Sequence, residues 1–247
     1  MEKINLTHKK ELLSGWLFSP PPDTGPERKP AAILIHGWHS SQERMFSTAE
    51  TLSSKSGMVC LTIDLRAHGE STSDIHELSA SDFLDDVVAA YDFLARREDV
   101  DPEQIGVIGS SFGGYLAALL TLKRKIEWMV LRAPANYPDH GFIKPKLSHA
   151  LWRWLKALWL RQPRYWRSTL ALKAVHEFPG KILIVESEKD DVIPHRTIRN
   201  YINAVSDKRN VQHKILKGAP HSLRKNPELQ AILNDIIFEW DRGRSEI

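Results

Sequence analysis

Polar and apolar residues alternate through Ile4-Asn5-Leu6-Thr7 and again over residues 12–18, the two-residue period of half-buried strands, which predicts an antiparallel opening pair. Residues 19–30 interrupt the pattern with five prolines and predict a surface loop. From there the chain switches between continuous apolar runs, as strands buried on both faces require, and stretches with a helical repeat. Strands are predicted over residues 31–35, 58–65, 105–108, 128–131, 181–185 and 211–216. A helix is predicted over residues 43–56, closed by Gly57. Another covers 81–97, where Phe83, Leu84, Val87, Val88, Tyr91 and Leu94 share a face and Ser79 or Ser81 supplies the N-cap. Further helices are expected over 115–125, 195–205 and 227–240. No segment repeats. This alternation predicts the α/β class, a mostly parallel sheet flanked by helices on both faces, with ligands bound beyond the carboxyl ends of the strands.

The rhythm breaks between residues 131 and 181. Leu151, Leu155, Leu158 and Trp159 lie on one face of a helical pattern over 151–160. From Asp139 to Glu177 no acidic residue occurs, while Lys144, Lys146, Arg153, Lys156, Arg161, Arg164, Arg167 and Lys173 do. A solvated basic face accounts for this charge; contact with an anionic substrate or with a membrane surface would also use it.

Length and composition bound the function. The 247 residues, 42% of them hydrophobic, suit one large α/β domain, and a formal charge of +3 is too small to argue for nucleic acid. Cys60 stands alone, so no internal disulfide forms and no oxidising compartment is required. No stretch has the length and apolarity of a signal-peptide core or a membrane span, which leaves the cytoplasm as the expected location. The histidines show no metal-ligand spacing, and neither metal nor cofactor is expected.

The segment Gly109-Ser110-Ser111-Phe112-Gly113 follows a short strand and passes directly into an Ala/Leu-rich helical pattern. Small residues two positions either side of Ser111 are what a nucleophile on a tight strand-to-helix turn requires, since a Cβ there would collide with neighbouring backbone. A serine hydroxyl needs a base to take its proton, and the base needs an orienting acid. Both have candidates just after later strands. Glu186-Ser187-Glu188-Lys189-Asp190-Asp191 follows residues 181–185, and Lys217-Gly218-Ala219-Pro220-His221 follows 211–216. The order serine, acid, histidine distinguishes one fold from the other folds that carry such residues.

Taken together, His36-Gly37-Trp38, Asp64-Leu65-Arg66-Ala67-His68-Gly69-Glu70-Ser71, the Ser111 turn, Asp190-Asp191-Val192-Ile193-Pro194 and the His221 turn resemble the motifs of α/β-hydrolases, over the whole core of that fold. The resemblance implies a single α/β-hydrolase domain over residues 1–247, with a small helical cap over 135–175. It implies Ser111 as nucleophile, His221 as base and Asp190, four residues before Pro194, as the acid; Asp191 and Glu188 stay open beside it. The amides of Phe112 and Trp38 would form the oxyanion hole. His36 is expected to hydrogen-bond within its loop, and Asp64 and Arg66 to organise the turn carrying His68. Tyr137, Phe142, Trp152 and Trp159 would line an apolar acyl- or aryl-binding surface beneath the cap, unless the tryptophans merely pack the cap onto the core. The expected activity is hydrolysis of a small carboxylic ester through an acyl-enzyme. The alternatives are a thioesterase, an acyl- or oligopeptidase, and a non-catalytic binding protein of the same fold.

Overall fold

The structure is a computed structural model that describes residues 1–8, 11–21, 27–139, 142 and 168–245. Strands β1 (Glu2–His8) and β2 (Glu11–Phe18) pair antiparallel with Glu2 opposite Leu17, as their alternation predicts. The other strands are β3 (Lys29–Ile35), β4 (Val59–Ile63), β5 (Val100–Ser110), β6 (Trp128–Arg132), β7 (Lys181–Lys189) and β8 (Val211–Pro220). They form one sheet in the order β1-β2-β4-β3-β5-β6-β7-β8, parallel from β4 onward. Every residue of β4 and β6 is buried, because helices cover both sheet faces and leave no side chain a wet side.

The helices are α1 (Phe46–Ser56), α2 (Ala80–Ala95), α3 (Phe112–Leu120), α4 (Leu170–Glu177), α5 (His195–Ala204) and α6 (Pro227–Ser245). On one face Phe83, Val87, Leu116, Val175 and Ile198 from α2 to α5 pack into the larger core. On the other, Ala49 and Leu52 of α1 meet Leu233 and Ile237 of α6. Of the two serines open as caps for α2, Ser79 serves: its hydroxyl accepts the Asp82 amide at 3.3 Å while the Asp82 carboxylate accepts the Ser79 amide at 2.8 Å. Such a capping box stabilises a helix by about 1 kcal/mol.

Several boundaries differ from expectation, β7 and β8 among them, which run on to Lys189 and Pro220. The first turn of the helix expected at residue 43 is a separate 3-10 turn, Gln42–Met45, pinned by Asp64, whose carboxylate accepts from both the Gln42 amide and its side chain. β5 extends beyond residues 105–108 at both ends, since backbone pairing with β3 does not require apolar side chains. α3 starts at Phe112 rather than residue 115 and ends by Leu120, before the charged run Lys123-Arg124-Lys125. The helix expected over 151–160 lies outside the described residues, as does most of the expected cap. Among the described residues no helix is long and apolar enough to cross a membrane.

Candidate active site

The turn between β5 and α3 consists of Ser111 alone, at φ 55° and ψ −113°. An L-residue holds such angles at a cost of about 1–3 kcal/mol, so neighbours must enforce them. The enforcement is visible: the Ser111 amide donates to the Arg132 carbonyl at 2.9 Å, and its carbonyl accepts from Ala135 at 2.9 Å and Tyr115 at 3.2 Å. Gly37, in the loop after β3, lies against the same residue, such that an added Cβ would stand 3.3 Å from Ser111 Cβ.

His221 follows β8 and turns its ring toward Ser111. The Ser111 hydroxyl donates to His221 Nε2 at 3.0 Å, and His221 Nδ1–H donates to Asp190 Oδ2 at 2.8 Å. The other Asp190 oxygen accepts from the amides of Ile193 at 2.7 Å and Val192 at 2.9 Å. Burial by itself would push the Asp190 carboxyl up. The hydrogen bond and charge of His221, with the two amides, outweigh it and hold the group below the usual carboxylate range. Neither alternative acid reaches the ring. Glu188 accepts from the Gly218 amide at 2.7 Å and from Lys217 at 3.0 Å, and Asp191 is exposed.

Trp38 and Phe112 flank Ser111, and their rings meet edge-to-face at 5.2 Å. Trp38 also packs against Phe83 at 5.3 Å and His68 at 5.0 Å, which fixes the loop after β3 onto α2. His36 is wholly buried beneath this loop. Its Nδ1 donates to the Gly37 carbonyl at 2.7 Å and its Nε2 accepts the Leu65 amide at 3.1 Å. Burial holds its imidazole down at about 4, so it is a neutral brace with both nitrogens occupied. The turn after β4 is built as expected. Asp64 accepts the Glu70 amide at 3.0 Å, and Arg66 Nε donates to Asp86 Oδ1 at 2.6 Å.

A cleft of about 790 Å³ opens at Ser111 and His221 and runs between α1 and α6, a size that holds a small organic ligand. In its wall Thr48 donates to Asn234 at 2.7 Å and Gln230 donates to the same oxygen at 2.9 Å. Of the four aromatic residues expected to contact substrate, the two described, Tyr137 and Phe142, are placed elsewhere. Tyr137 is a core residue, edge-to-face with Tyr115 at 5.0 Å and Phe112 at 5.9 Å. Phe142 packs half-buried on that core, its carbonyl accepting the Ser81 amide at 3.0 Å. Neither lines this cleft. An aromatic next to an active-site loop reads identically in sequence whether it packs inward or lines a site. Trp152 and Trp159 lie outside the described residues.

Two features escaped the sequence reading. Glu186 is bridged by His195 and by His213, the latter at 2.7 Å. Arg132 is buried at the end of β6, beside Ser110. A lone basic residue closing an otherwise apolar strand, Trp-Met-Val-Leu-Arg, was the available signal. Among the described residues no group of three or more His, Cys, Asp or Glu could hold a metal ion.

Comparison with known proteins agrees with the architecture. The family described as serine aminopeptidase, S33, matches residues 26–167. An uncharacterized protein of Mycobacterium tuberculosis is 25% identical over 218 residues, covering 88% of this chain and 69% of its own length. The uncharacterized peptidase YuxL of Bacillus subtilis is 24% identical over 74% of this chain, which spans only 29% of YuxL. Among solved structures, Est1E from Butyrivibrio proteoclasticus with ferulic acid bound superposes with a TM-score of 0.77 at 17% identity, covering 99% of this chain and 100% of that one.

Proposed function

The chain belongs to the serine aminopeptidase S33 family of α/β-hydrolases, and from that premise we propose that it cleaves carboxylic esters through an acyl-enzyme intermediate. The observation that carries this reading is the unbroken hydrogen-bonded path from Asp190 through His221 to Ser111. His221 Nε2 takes the Ser111 proton as the oxygen attacks the acyl carbon, and Asp190 steadies the imidazolium that forms. The amides of Phe112 and Trp38 receive the oxyanion, one from the start of α3 and one from the loop after β3. The same proton then leaves with the alcohol. In the second half-reaction a water gives a proton to His221 as it attacks the acyl carbon, and His221 passes that proton to Ser111 Oγ as the acyl–oxygen bond breaks and the carboxylic acid leaves.

The family name and YuxL raise peptide cleavage as a second reading. An aminopeptidase must neutralise the ammonium of its substrate. Among the described residues lining the cleft the sole carboxylate is exposed Glu43, against Arg44, Arg132 and Arg224. That charge balance favours an acyl substrate without a free amine.

The test is labelling with a fluorophosphonate, followed by turnover of p-nitrophenyl esters beside aminoacyl p-nitroanilides. Labelling at Ser111 and preferential ester turnover, both lost in Ser111→Ala, are expected. Faster turnover of the anilides would transfer the assignment to a peptidase. A folded, unlabelled protein would make the chain a binding protein.

A further inference from the structure

Arg132 is a buried cation that takes no part in the proton transfers just described. The residue is 6% exposed, and among the described residues no carboxylate lies within ion-pairing distance of it. Burial lowers its guanidinium to about 10, partly offset by the charge of Asp190, so it stays protonated at neutral pH. Burying a charge without a directly paired partner costs stability, and an apolar side chain of similar size would serve the core as well or better. Its presence therefore needs a reason other than packing.

The reason lies in what it touches. Nη2 donates to Ser187 Oγ at 2.8 Å and to the Pro220 carbonyl at 3.1 Å, and Nη1 lies 3.5 Å from Ser110 Oγ. Each acceptor adjoins one member of the site. Ser110 precedes Ser111, Pro220 precedes His221, and the Ser187 carbonyl accepts the Asp190 amide at 3.3 Å. The Arg132 carbonyl itself holds the Ser111 amide. We infer that Arg132 is a positioning residue whose guanidinium ties the ends of β5, β7 and β8 together and so keeps Ser111, Asp190 and His221 in line. A planar fork spreads its donors over two terminal nitrogens and so spans acceptors on three strand ends, whereas an ammonium carries all its donors on one nitrogen.

This inference rests on the ester-hydrolase reading, and its test separates the two. Arg132→Met, Arg132→Lys, Ser187→Ala and Arg132→Met/Ser187→Ala are compared with the unaltered protein for melting temperature, kcat and KM on p-nitrophenyl acetate. Arg132→Met should lose kcat by about 10- to 100-fold, as a misplacement near 1 Å does, with KM within about twofold. Its melting temperature should change by no more than a few degrees, since the charge removed from the interior offsets the acceptors left on Ser187 and Pro220. Arg132→Lys should recover part of the loss. The double variant should be no worse than Arg132→Met alone, because both substitutions cut the same tie. Independently of turnover, the low-field proton resonance of the His221–Asp190 hydrogen bond should be present in the unaltered protein and shifted or lost in Arg132→Met. Unchanged kcat and an unchanged resonance in Arg132→Met would overturn the inference. A loss of kcat that tracks a fall in melting temperature in all variants would overturn it too, by showing a general structural role. An unaltered protein that turns over no ester would instead sink the ester reading, and the resonance would still decide on Arg132.

Discussion

Gly109 and Gly113 meet backbone to backbone across the Ser111 turn: a Cβ on Gly109 would collide with the Gly113 carbonyl, and one on Gly113 with the carbonyls of Ile35 and His36. Backbone cannot yield as a flexible side chain can. Gly109→Ala should therefore destabilise the fold by about 1–3 kcal/mol or more, the cost of overpacking, and displace Ser111 as it does so. Urea unfolding together with fluorophosphonate labelling reads both effects.

Of the three carboxylates at the end of β7, Glu188, Asp190 and Asp191, only Asp190 meets the imidazole. Asp190→Asn should lower kcat by about 10⁴-fold, because the ring loses its orientation and tautomer. Glu188→Gln and Asp191→Asn should stay within a few-fold of the unaltered protein. Steady-state kinetics on one p-nitrophenyl ester decides the point.

Acid should act on the loop after β3 through His36. Burial holds its folded value at about 4, whereas the unfolded chain titrates near 6.5. Between these values the unfolded state binds the extra proton, so stability is full above pH 6.5 and falls as pH drops toward 4, by about 3 kcal/mol in all. Unfolding free energies measured from pH 4 to 7 should slope upward with pH in the unaltered protein. His36→Asn, whose amide can still donate to Gly37, should show a flatter slope.

Arg66 and Asp86 form a buried pair, with the Arg66 amide also donating to Asp86 at 2.9 Å. Burial pushes the Asp86 carboxyl up to about 7, against the pull of Arg66. Its contribution to stability thus declines as pH rises from the ordinary carboxylate range toward 7, opposite in sign to that of His36. The His36 effect is accordingly read as a difference between two proteins. Arg66→Met should cost about 3–5 kcal/mol by leaving a carboxyl buried without its counter-charge, and Arg66→Met/Asp86→Leu should recover most of it. Chemical denaturation of both variants checks this.

Cys60 is wholly buried in β4, and burial pushes its thiol up, away from the reactive thiolate. Ellman's reagent should modify it only after unfolding, and thiol-directed inhibitors should leave ester hydrolysis intact.

The sheet and its helices were readable because burial on both faces leaves a continuous apolar run in the sequence, as in β3, β4 and β6. The Ser111 turn was readable for a related reason. Gly109 is demanded by contact with Gly113 and Gly114, only a few residues along the chain, so that constraint is written beside the serine it serves, whereas Gly113 answers to the distant carbonyls of Ile35 and His36. Boundaries were less legible: the ends of β5 are set by pairing with β3, and the 3-10 turn before α1 by Asp64, more than fifteen residues further on.

By itself the sequence determined the fold class, the tight turn at Ser111 and the order in which serine, acid and histidine occur, since each depends on local periodicity, small residues or chain direction. Tertiary structure alone decided which of three neighbouring carboxylates meets His221, that Tyr137 packs into the core, and that a buried arginine sits among the three strand ends. These outcomes are distances between groups far apart in the chain: His221 lies 110 residues from Ser111, and Arg132 is 55 from Ser187 and 88 from Pro220. Such distances exist only once the sheet has brought its strand ends together. The composition of any one segment does not encode them.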